Sequence, residues 1–209
     1  MGGISYRYRA ANSEPSHQHL YPSVSRLLQD IGPGSVVMDA GCGNGSFIAL
    51  FQDRNWKLHG SDLSPTGIEI ARKTFPNINF FLADGQTRYA DFLSTIGPVD
   101  VVISTEVIEH LYDPRGFIRS CYELLKPGGT IVLTTPYHGY LKNLLIALTG
   151  KMDQHFTVLW DHGHIKFWSR HTLEAVLEET GFTDVEFLGS GRIPYLWKSM
   201  ALKARRPVL

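Results

Sequence analysis

The sequence has few cysteines, no excess charge of either sign and no long apolar run. Cys42 and Cys121 are its only cysteines, too few for a disulfide framework. Twenty Lys and Arg residues balance twenty Asp and Glu residues, whereas nucleic-acid-binding proteins normally carry a basic excess. No apolar run reaches the roughly 18 residues of a membrane span, and the polar segment 1–14 has no apolar core like that of a secretory signal. We therefore expect a cytoplasmic protein that does not bind nucleic acid.

The composition is that of a single folded domain. The chain has 209 residues, of which 43% are apolar and 19% charged, so a sizeable core can form. We find no internal repeat, low-complexity tract or Ser/Gly-rich linker. The domain divides into an N-terminal arm and helix (1–31), a core (35–136), an insertion (137–168), and a C-terminal helix with strands (169–209).

Short apolar strands alternate with amphipathic helices along the chain. Strands are predicted at 36–38, 56–61, 79–83, 99–104, 130–134, 183–188 and 195–203. Helices are predicted to begin near Pro22 and at the caps Ser64, Asp113 and Ser169. Phe47, Leu50 and Phe51 also recur at helical spacing. This alternation indicates a parallel sheet that is covered by helices on both faces.

Acidic residues end four successive predicted strands. Asp39, Asp62, Asp84 and Glu106 follow one another at intervals of 23, 22 and 22 residues, about one βα unit each. A single aspartate in such a place often only caps the next helix. Four in register indicate a binding cleft, because ligands of open α/β sheets bind outside the carboxyl ends of the strands.

A glycine-rich turn, Asp-Ala-Gly-Cys-Gly-Asn-Gly at 39–45, follows the first predicted strand. Its spacing is not the G-x-G-x-x-G of dinucleotide-binding enzymes, and no Gly-Lys-Ser/Thr follows as in a phosphate-binding loop. A carboxylate beside the glycines would repel a pyrophosphate and attract an amino group or a cation. The turn therefore favours a nucleoside with a positively charged arm.

Five segments resemble, in order, the motifs of class I S-adenosylmethionine-dependent methyltransferases. They are residues 39–45, Gly-Ser-Asp-Leu-Ser at 60–64, Leu-Ala-Asp-Gly at 82–85, Thr-Glu-Val-Ile-Glu-His-Leu at 105–111 and Leu-Lys-Pro-Gly-Gly at 125–129. Asp-His-Gly-His-Ile-Lys-Phe-Trp at 161–168 is similar to a stretch of the ubiquinone-biosynthesis O-methyltransferases and of small-molecule methyltransferases near them. The resemblance implies an α/β, Rossmann-like, seven-stranded, mostly parallel sheet with helices on both faces and an antiparallel last strand.

The resemblance also implies how S-adenosylmethionine would be held. Asp39 would bind the ammonium of the methionine arm, which the backbone of Gly41, Cys42 and Gly43 would face. Asp62 would accept bonds from both ribose hydroxyls, since a carboxylate offers two acceptor oxygens to a vicinal diol. The remaining expected contacts are Leu63, Asp84 and Gly85 at adenine, Thr105 and Glu106 at the floor, and Tyr21, with Tyr6, Tyr8 and His17, over the carboxylate end.

Two clusters are candidates for the acceptor side. Glu106, Glu109 and His110 would share one face of a short helix and could ligate a divalent metal. The alternative is that this segment only caps and packs its helix. The second cluster consists of His155, Asp161, His162, His164 and His171, interleaved with tryptophan and phenylalanine. His164, with His162 and His110 as further candidates, could deprotonate an acceptor hydroxyl, or these histidines could tie the insertion to the sheet.

The insertion contains an apolar helical stripe at 140–148, which suits a substrate lid, a dimer contact or a helix on a membrane surface. Lys198, Lys203, Arg205 and Arg206 make the C-terminus basic, which favours the membrane. The alternative, which we prefer here, is core packing with a solvated tail. The expected oligomeric state is a monomer or a homodimer.

Taken together, the sequence predicts a methyltransferase that acts on a small molecule. The preferred methyl acceptor is an oxygen atom of a phenolic or quinol-like substrate. The alternatives are N- or C-methylation of another metabolite, or a module that binds the cofactor without turnover. The Asn/Asp-Pro-Pro-Tyr/Phe motif of nucleic-acid amino methyltransferases is absent at the fourth strand, where Ser-Thr-Glu-Val stands at 104–107.

Overall fold

A computed structural model describes residues 7–11, 16–83, 88–156, 158–161, 163–191 and 193–208. Within these residues seven strands form one sheet in the order β3-β2-β1-β4-β5-β7-β6. The strands are β1 (Val36–Ala40), β2 (Lys57–Asp62), β3 (Asn79–Leu82), β4 (Val99–Thr105), β5 (Leu125–Pro136), β6 (Thr183–Ser190) and β7 (Ser199–Arg205). Only β7 runs against its neighbours, which confirms the predicted mostly parallel sheet with an antiparallel last strand.

Helices cover both faces of the sheet. They are α1 (His17–Leu27), α2 (Pro65–Thr74), α3 (Leu93–Ile96), α4 (Pro114–Leu124), α5 (Tyr140–Leu148), α6 (Met152–Phe156) and α7 (Arg170–Thr180), with 3₁₀ helices at Ile48–Arg54, Tyr89–Phe92 and Ile108–His110. Successive residues of β1 point to opposite faces, so Val37 joins the apolar cluster under α1 and α2, and Met38 joins the cluster under α4 and α7. The architecture is therefore helix, sheet, helix.

The predicted caps start three of these helices. The Ser64 hydroxyl accepts a hydrogen bond from the Gly67 amide at 3.1 Å, and Asp113 accepts one from the Gly116 amide at 2.9 Å. Ser169 and Thr172 form a reciprocal capping box at the start of α7. Each cap fixes where the chain turns away from the sheet edge that carries the site.

The first helix begins earlier than the sequence predicts. It starts at His17, so that Pro22 lies inside it rather than in its first turn. Proline has no N–H to donate to the carbonyl four residues earlier, which normally makes it a poor interior residue. The earlier start extends the buried face of the helix by one turn, because Leu20 becomes wholly buried beside Val24. Burial of that side chain outweighs the missing hydrogen bond.

Other boundaries also differ from the prediction. Residues 48–54, within the segment where Phe47, Leu50 and Phe51 recur at helical spacing, form a 3₁₀ helix on which Leu50 is 41% exposed. β5 already begins at Leu125, because its first residue pairs with Val99 across the Lys-Pro-Gly-Gly turn. β7 begins at Ser199 rather than near 195, and the residue before it, Lys198, donates its amide to the Ser190 carbonyl at 3.0 Å in the turn from β6.

The insertion, residues 137–168, leaves the sheet after β5 and returns before α7. Its two ends are held together, since the His138 amide donates to the Trp168 carbonyl at 3.2 Å. α5 has no buried residue, and its apolar side chains are exposed, up to 73% for Leu148 and 84% for Tyr140. The preferred prediction that this stripe packs into the core is therefore wrong; the lid, dimer and membrane-surface alternatives stay predictions.

The basic C-terminus is not a solvated tail. The Lys203 ammonium lies almost fully buried, 3.0 Å from an Asp30 carboxylate oxygen, and Arg205 contacts the same carboxylate at 2.7 Å. The Arg206 guanidinium donates to the carbonyl oxygens of Tyr122 and Leu125. Lys203, Arg205 and Arg206 thus bind partners within the fold, because β7 is an inner strand of the sheet. Across the described ranges, no helix combines the length and apolar character that crossing a bilayer requires.

Candidate functional site

The site lies where β1, β2 and β4 end. Register aligns Ala40 of β1 with Ser61 of β2, and the Ser61 carbonyl accepts hydrogen bonds from the amides of Gly41 and Cys42 at 2.8 and 2.9 Å. Gly41 and Gly43 have φ angles of 87° and 54°, a region that favours glycine. A side chain at Gly41 would overlap Val107. The glycines therefore let the turn fold back closely on the ends of the strands.

Asp39 carries a buried carboxyl group at the end of β1. Its side chain is fully buried, and neither oxygen accepts a hydrogen bond from any residue that the structure describes. Burial raises the pKa of this carboxyl to about 8, and the nearby Asp62 charge adds to the shift. An unpaired buried carboxylate is costly and calls for a donor. A positively charged nitrogen beside the glycine turn would satisfy it, so the residue fits the predicted ammonium contact.

Backbone amides fix the orientation of Asp62. One carboxylate oxygen accepts from the Gly43 amide at 2.8 Å, and the other accepts from the Ser64 amide at 2.7 Å. Burial raises the pKa of the carboxyl, although these hydrogen bonds oppose the shift. Each oxygen keeps a second lone pair for a hydroxyl donor. Leu63, the next residue, is 52% exposed and offers an apolar surface at the same edge.

The N-terminal arm crosses the glycine turn. The Tyr8 amide donates to the Thr66 hydroxyl at 3.1 Å, and the Asn44 side chain donates to the Ala10 carbonyl at 3.0 Å. The Tyr8 ring lies against Gly43 and Gly67, where a side chain would overlap it. Tyr8, one of the residues expected over the carboxylate end, therefore covers the glycine turn.

The other aromatic residues expected over the cofactor take part in core packing. Tyr21 packs on Phe51 with ring centroids 5.2 Å apart, and His17 packs on Phe47 at 5.1 Å. Burial lowers the pKa of His17 to about 4. Tyr6, Asp84, Gly85 and His162 lie outside the described residues, and their expected roles stay predictions.

Glu106 does not share a helix face with Glu109 and His110. It has a φ of 53° directly after β4, and the 3₁₀ helix begins two residues later at Ile108. Its carboxylate accepts hydrogen bonds from the hydroxyls of Thr134 at 3.1 Å and Ser199 at 3.4 Å. Burial raises its pKa to about 7, opposed by these bonds and by the Lys142 charge. The left-handed turn therefore directs Glu106 toward β5 and β7, and the predicted shared face is wrong.

A cluster instead joins Glu109, His110 and His164, whose ligand atoms all lie within 4.8 Å of one another. One Glu109 oxygen accepts from the Thr135 hydroxyl at 3.0 Å. The other, Oε1, is buried without a hydrogen-bond partner among the described residues and lies 4.0 Å from His110 Nε2 and 3.9 Å from His164 Nε2. His110 Nδ1 is 3.2 Å from the Gly163 carbonyl, so a proton on Nδ1 would leave Nε2 as the acceptor nitrogen.

Burial sets the protonation of this cluster. It raises the pKa of Glu109 well above the ordinary value, and the Glu106 charge adds to the shift. It lowers the pKa of His164 to about 4, with further lowering by His110 and His155. Sequence reasoning found all three residues but placed them in two separate clusters. The link was missed because it depends on the insertion folding back, where the amides of Ile165 and Lys166 donate to the Glu109 carbonyl.

Comparison with known proteins identifies the family. A family of methyltransferase domains matches residues 12–186. The ubiquinone biosynthesis O-methyltransferase of Cereibacter sphaeroides strain KD131 is 29% identical over 177 residues, 82% of this chain and 69% of that protein. The chain therefore belongs to the methyltransferase domain family, and the resemblance to S-adenosylmethionine-dependent methyltransferases is confirmed.

Solved structures show the same fold. An S-adenosylmethionine-dependent methyltransferase from Archaeoglobus fulgidus superposes with a TM-score of 0.68 at 20% identity, over 90% of this chain and 94% of that one. Magnesium protoporphyrin IX methyltransferase from Synechocystis PCC 6803, solved with S-adenosylhomocysteine bound, gives 0.67 at 21% identity, over 91% and 83%. These likenesses show the fold of the chain.

Replacing Asp39 by asparagine should change how stability depends on pH. The folded carboxyl keeps its proton to about pH 8, whereas the unfolded one ionises near the ordinary value of 3.8. Stability from Asp39 is therefore greatest below that value and falls as the pH rises toward 8. In urea unfolding without cofactor, the advantage of Asp39→Asn over wild type should grow by about 2–4 kcal/mol between pH 5 and 8.

The exposed Asp53→Asn is the matched control, for which no such growth is expected. A difference between Asp39→Asn and wild type that stays constant with pH would show that the Asp39 carboxyl is already ionised in the folded protein.

Proposed function

We propose that this methyltransferase transfers the methyl group of S-adenosylmethionine to an oxygen of a phenolic or quinol-like small molecule. The observation that carries the proposal is the buried Asp39 carboxyl at the glycine turn, which has no hydrogen-bond partner among the described residues, together with the cluster after β4 of the buried Glu109 and the half-buried His110 and His164. The printed name of the C. sphaeroides relative, an O-methyltransferase, supports oxygen as the acceptor atom.

The cofactor would be held by residues whose geometry already suits it. Asp39 would neutralise the ammonium of the methionine arm, and Asp62 would accept from the ribose hydroxyls. When bound, S-adenosylmethionine supplies an electrophilic methyl group on a sulfonium sulfur. Thr105 and Glu106 would line the floor, Leu63 would cover the adenine, and the Tyr8 arm would keep water away from the glycine turn.

The acceptor would lie against Glu109, His110 and His164. We propose that these residues hold a divalent cation, since the Glu109 oxygen and one nitrogen of each imidazole lie within 4.8 Å of one another and are ligand types that bind such ions. Such an ion would orient an acceptor hydroxyl and lower its pKa. The alternative is that no cation binds and that His164, oriented by Glu109, acts as the general base that deprotonates the acceptor hydroxyl. In the first case the chain positions the acceptor, whose hydroxyl would ionise by losing its proton to solvent, and in the second case His164 would take up that proton.

Asp62→Ala should weaken cofactor binding by about 10–100-fold, because a charge-assisted hydrogen bond contributes roughly 1.5–3 kcal/mol. Isothermal titration with S-adenosylhomocysteine measures the change. Asp53→Ala, an exposed aspartate on the 3₁₀ helix at 48–54, should bind as wild type does. Binding by Asp62→Ala as tight as that of wild type would refute the assigned cofactor site.

Catechols incubated with S-adenosylmethionine and the protein should give methyl ethers, detected by mass spectrometry. Aniline analogues of the same shape should react far less, because the proposed cluster removes a hydroxyl proton. Preferential methylation of the anilines, or of a ring carbon, would support the N- or C-methylation alternative and contradict O-methylation. Cofactor binding without any turnover would indicate a binding module.

Removing the proposed cation should reduce turnover. EDTA should abolish methyl-ether formation, restored by adding Mg²⁺, Mn²⁺ or Zn²⁺, and Glu109→Gln should lower kcat by about 10–100-fold. Glu69→Gln, an exposed glutamate on α2, is the matched control and should be unaffected. Full activity in EDTA would end the cation proposal and leave His164 as the candidate base.

A further inference from the structure

One tryptophan of the insertion lies outside the apolar core. The chain has four tryptophans, and Trp56, Trp168 and Trp197 pack in or against the two apolar clusters that flank the sheet. Trp160 belongs to neither cluster in the part of the chain that the structure describes, and it is 48% exposed. Burial of apolar surface in the core therefore does not account for the position of this large side chain.

The Trp160 indole instead lies beside the two imidazoles of the proposed acceptor cluster. Its ring centroid is 5.6 Å from that of His164 and 6.1 Å from that of His110, with interplanar angles of 64° and 84°. The centroids of the two imidazoles are 4.9 Å apart, and each imidazole has its Nε2 within 4.0 Å of the same Glu109 oxygen. The indole therefore borders the atoms that are proposed to hold the acceptor hydroxyl.

A tight turn holds the indole in this place. The Gly163 amide donates to the Trp160 carbonyl at 3.0 Å, and the Gly163 carbonyl lies 3.2 Å from His110 Nδ1. A side chain at Gly163 would not fit, because its Cβ would lie 2.9 Å from the Trp160 carbonyl oxygen and 3.2 Å from indole Cε3. The turn that brings His164 to Glu109 therefore also fixes the indole next to both imidazoles.

A half-exposed indole offers a flat apolar surface to a ligand. Aromatic rings pair in offset-stacked or edge-on arrangements with centroids about 4.5–7 Å apart. The indole lies within the same range of the His110 and His164 rings. An aromatic ring that packs on the exposed part of Trp160 could therefore carry its own hydroxyl to the cluster of Glu109 and the two imidazoles.

We propose that Trp160 is a specificity-determining residue for the acceptor, and that its indole stacks on the aromatic ring whose hydroxyl is methylated. This inference rests on the proposed function and adds to it the surface that recognises the ring. The Glu109 cluster would select the hydroxyl, and Trp160 would select the flat ring that carries it. Such stacking forms when the acceptor binds and persists during methyl transfer, so its loss should weaken binding and leave the chemical step unchanged.

Two variants of Trp160 test the proposal in methyl transfer to catechol. Trp160→Leu keeps an apolar side chain and removes the ring, so the KM for catechol should rise by about 3–10-fold with little change in kcat. Trp160→Phe keeps a ring, and its KM should stay within about threefold of wild type. Tyr195→Leu, which removes a 63% exposed ring between β6 and β7, is the matched control and should leave KM unchanged.

Tryptophan fluorescence measures the contact without turnover. With S-adenosylhomocysteine bound, catechol should quench the tryptophan emission of the wild-type protein. The quenching should be lost in Trp160→Phe, which keeps the three core tryptophans, and it should persist in Tyr195→Leu.

An unchanged KM in Trp160→Leu, or full quenching in Trp160→Phe, would overturn the stacking role. A lower kcat at unchanged KM in Trp160→Leu would also overturn it, since Trp160 would then only support the imidazoles. Quenching that depends on Trp160 without formation of a methyl ether would instead support the ring site and contradict the proposed function. Absence of both quenching and methyl transfer in the wild type would contradict both.

Discussion

The structure depends on one unfavourable arrangement, the burial of the Asp39 carboxylate at the end of β1. The side chain is fully buried without a partner in the described chain, next to a second carboxylate on β2. Burial of this kind costs stability unless a donor is supplied. Parallel pairing of β1 with β2 and β4, the left-handed glycine turn and the caps of the following helices all hold it in place. A cationic group of a bound ligand would therefore stabilise this carboxylate, at the sheet edge where the cofactor is proposed to bind.

The proposed acceptor side has a second buried carboxylate, Glu109, which follows β4 and contacts Thr135 of β5. Glu109 is buried after β4 and keeps one oxygen directed at two imidazoles, one of which arrives from the insertion. The insertion is tied to this point by hydrogen bonds to the Glu109 carbonyl. The α5 helix of the insertion has no buried residue, so it contributes little to the core. In the proposed function, buried Asp39 therefore lies at the cofactor and buried Glu109 lies at the acceptor.

Most elements of the fold could be predicted from local sequence patterns. Ser64, Asp113 and Ser169 marked helix starts because capping depends only on neighbouring residues, and the acids at the strand ends marked the sheet edge because parallel strands finish together. Long-range packing was missed. Pro22 lies inside α1 because Leu20 gains burial against a distant sheet, and Lys203 is buried because Asp30 lies across from it. The pairing of Glu109 with His164 depends on a return of the chain that no local pattern encodes.

The most direct test of the account is methyl-label transfer from S-adenosylmethionine to a cell lysate, separated into solvent-extractable small molecules, water-soluble small molecules, RNA and protein. The account predicts label in a small-molecule fraction, in the extractable one for a quinol-like acceptor, and no label above background with Asp62→Ala. Label in RNA or protein that depends on the intact site would contradict it.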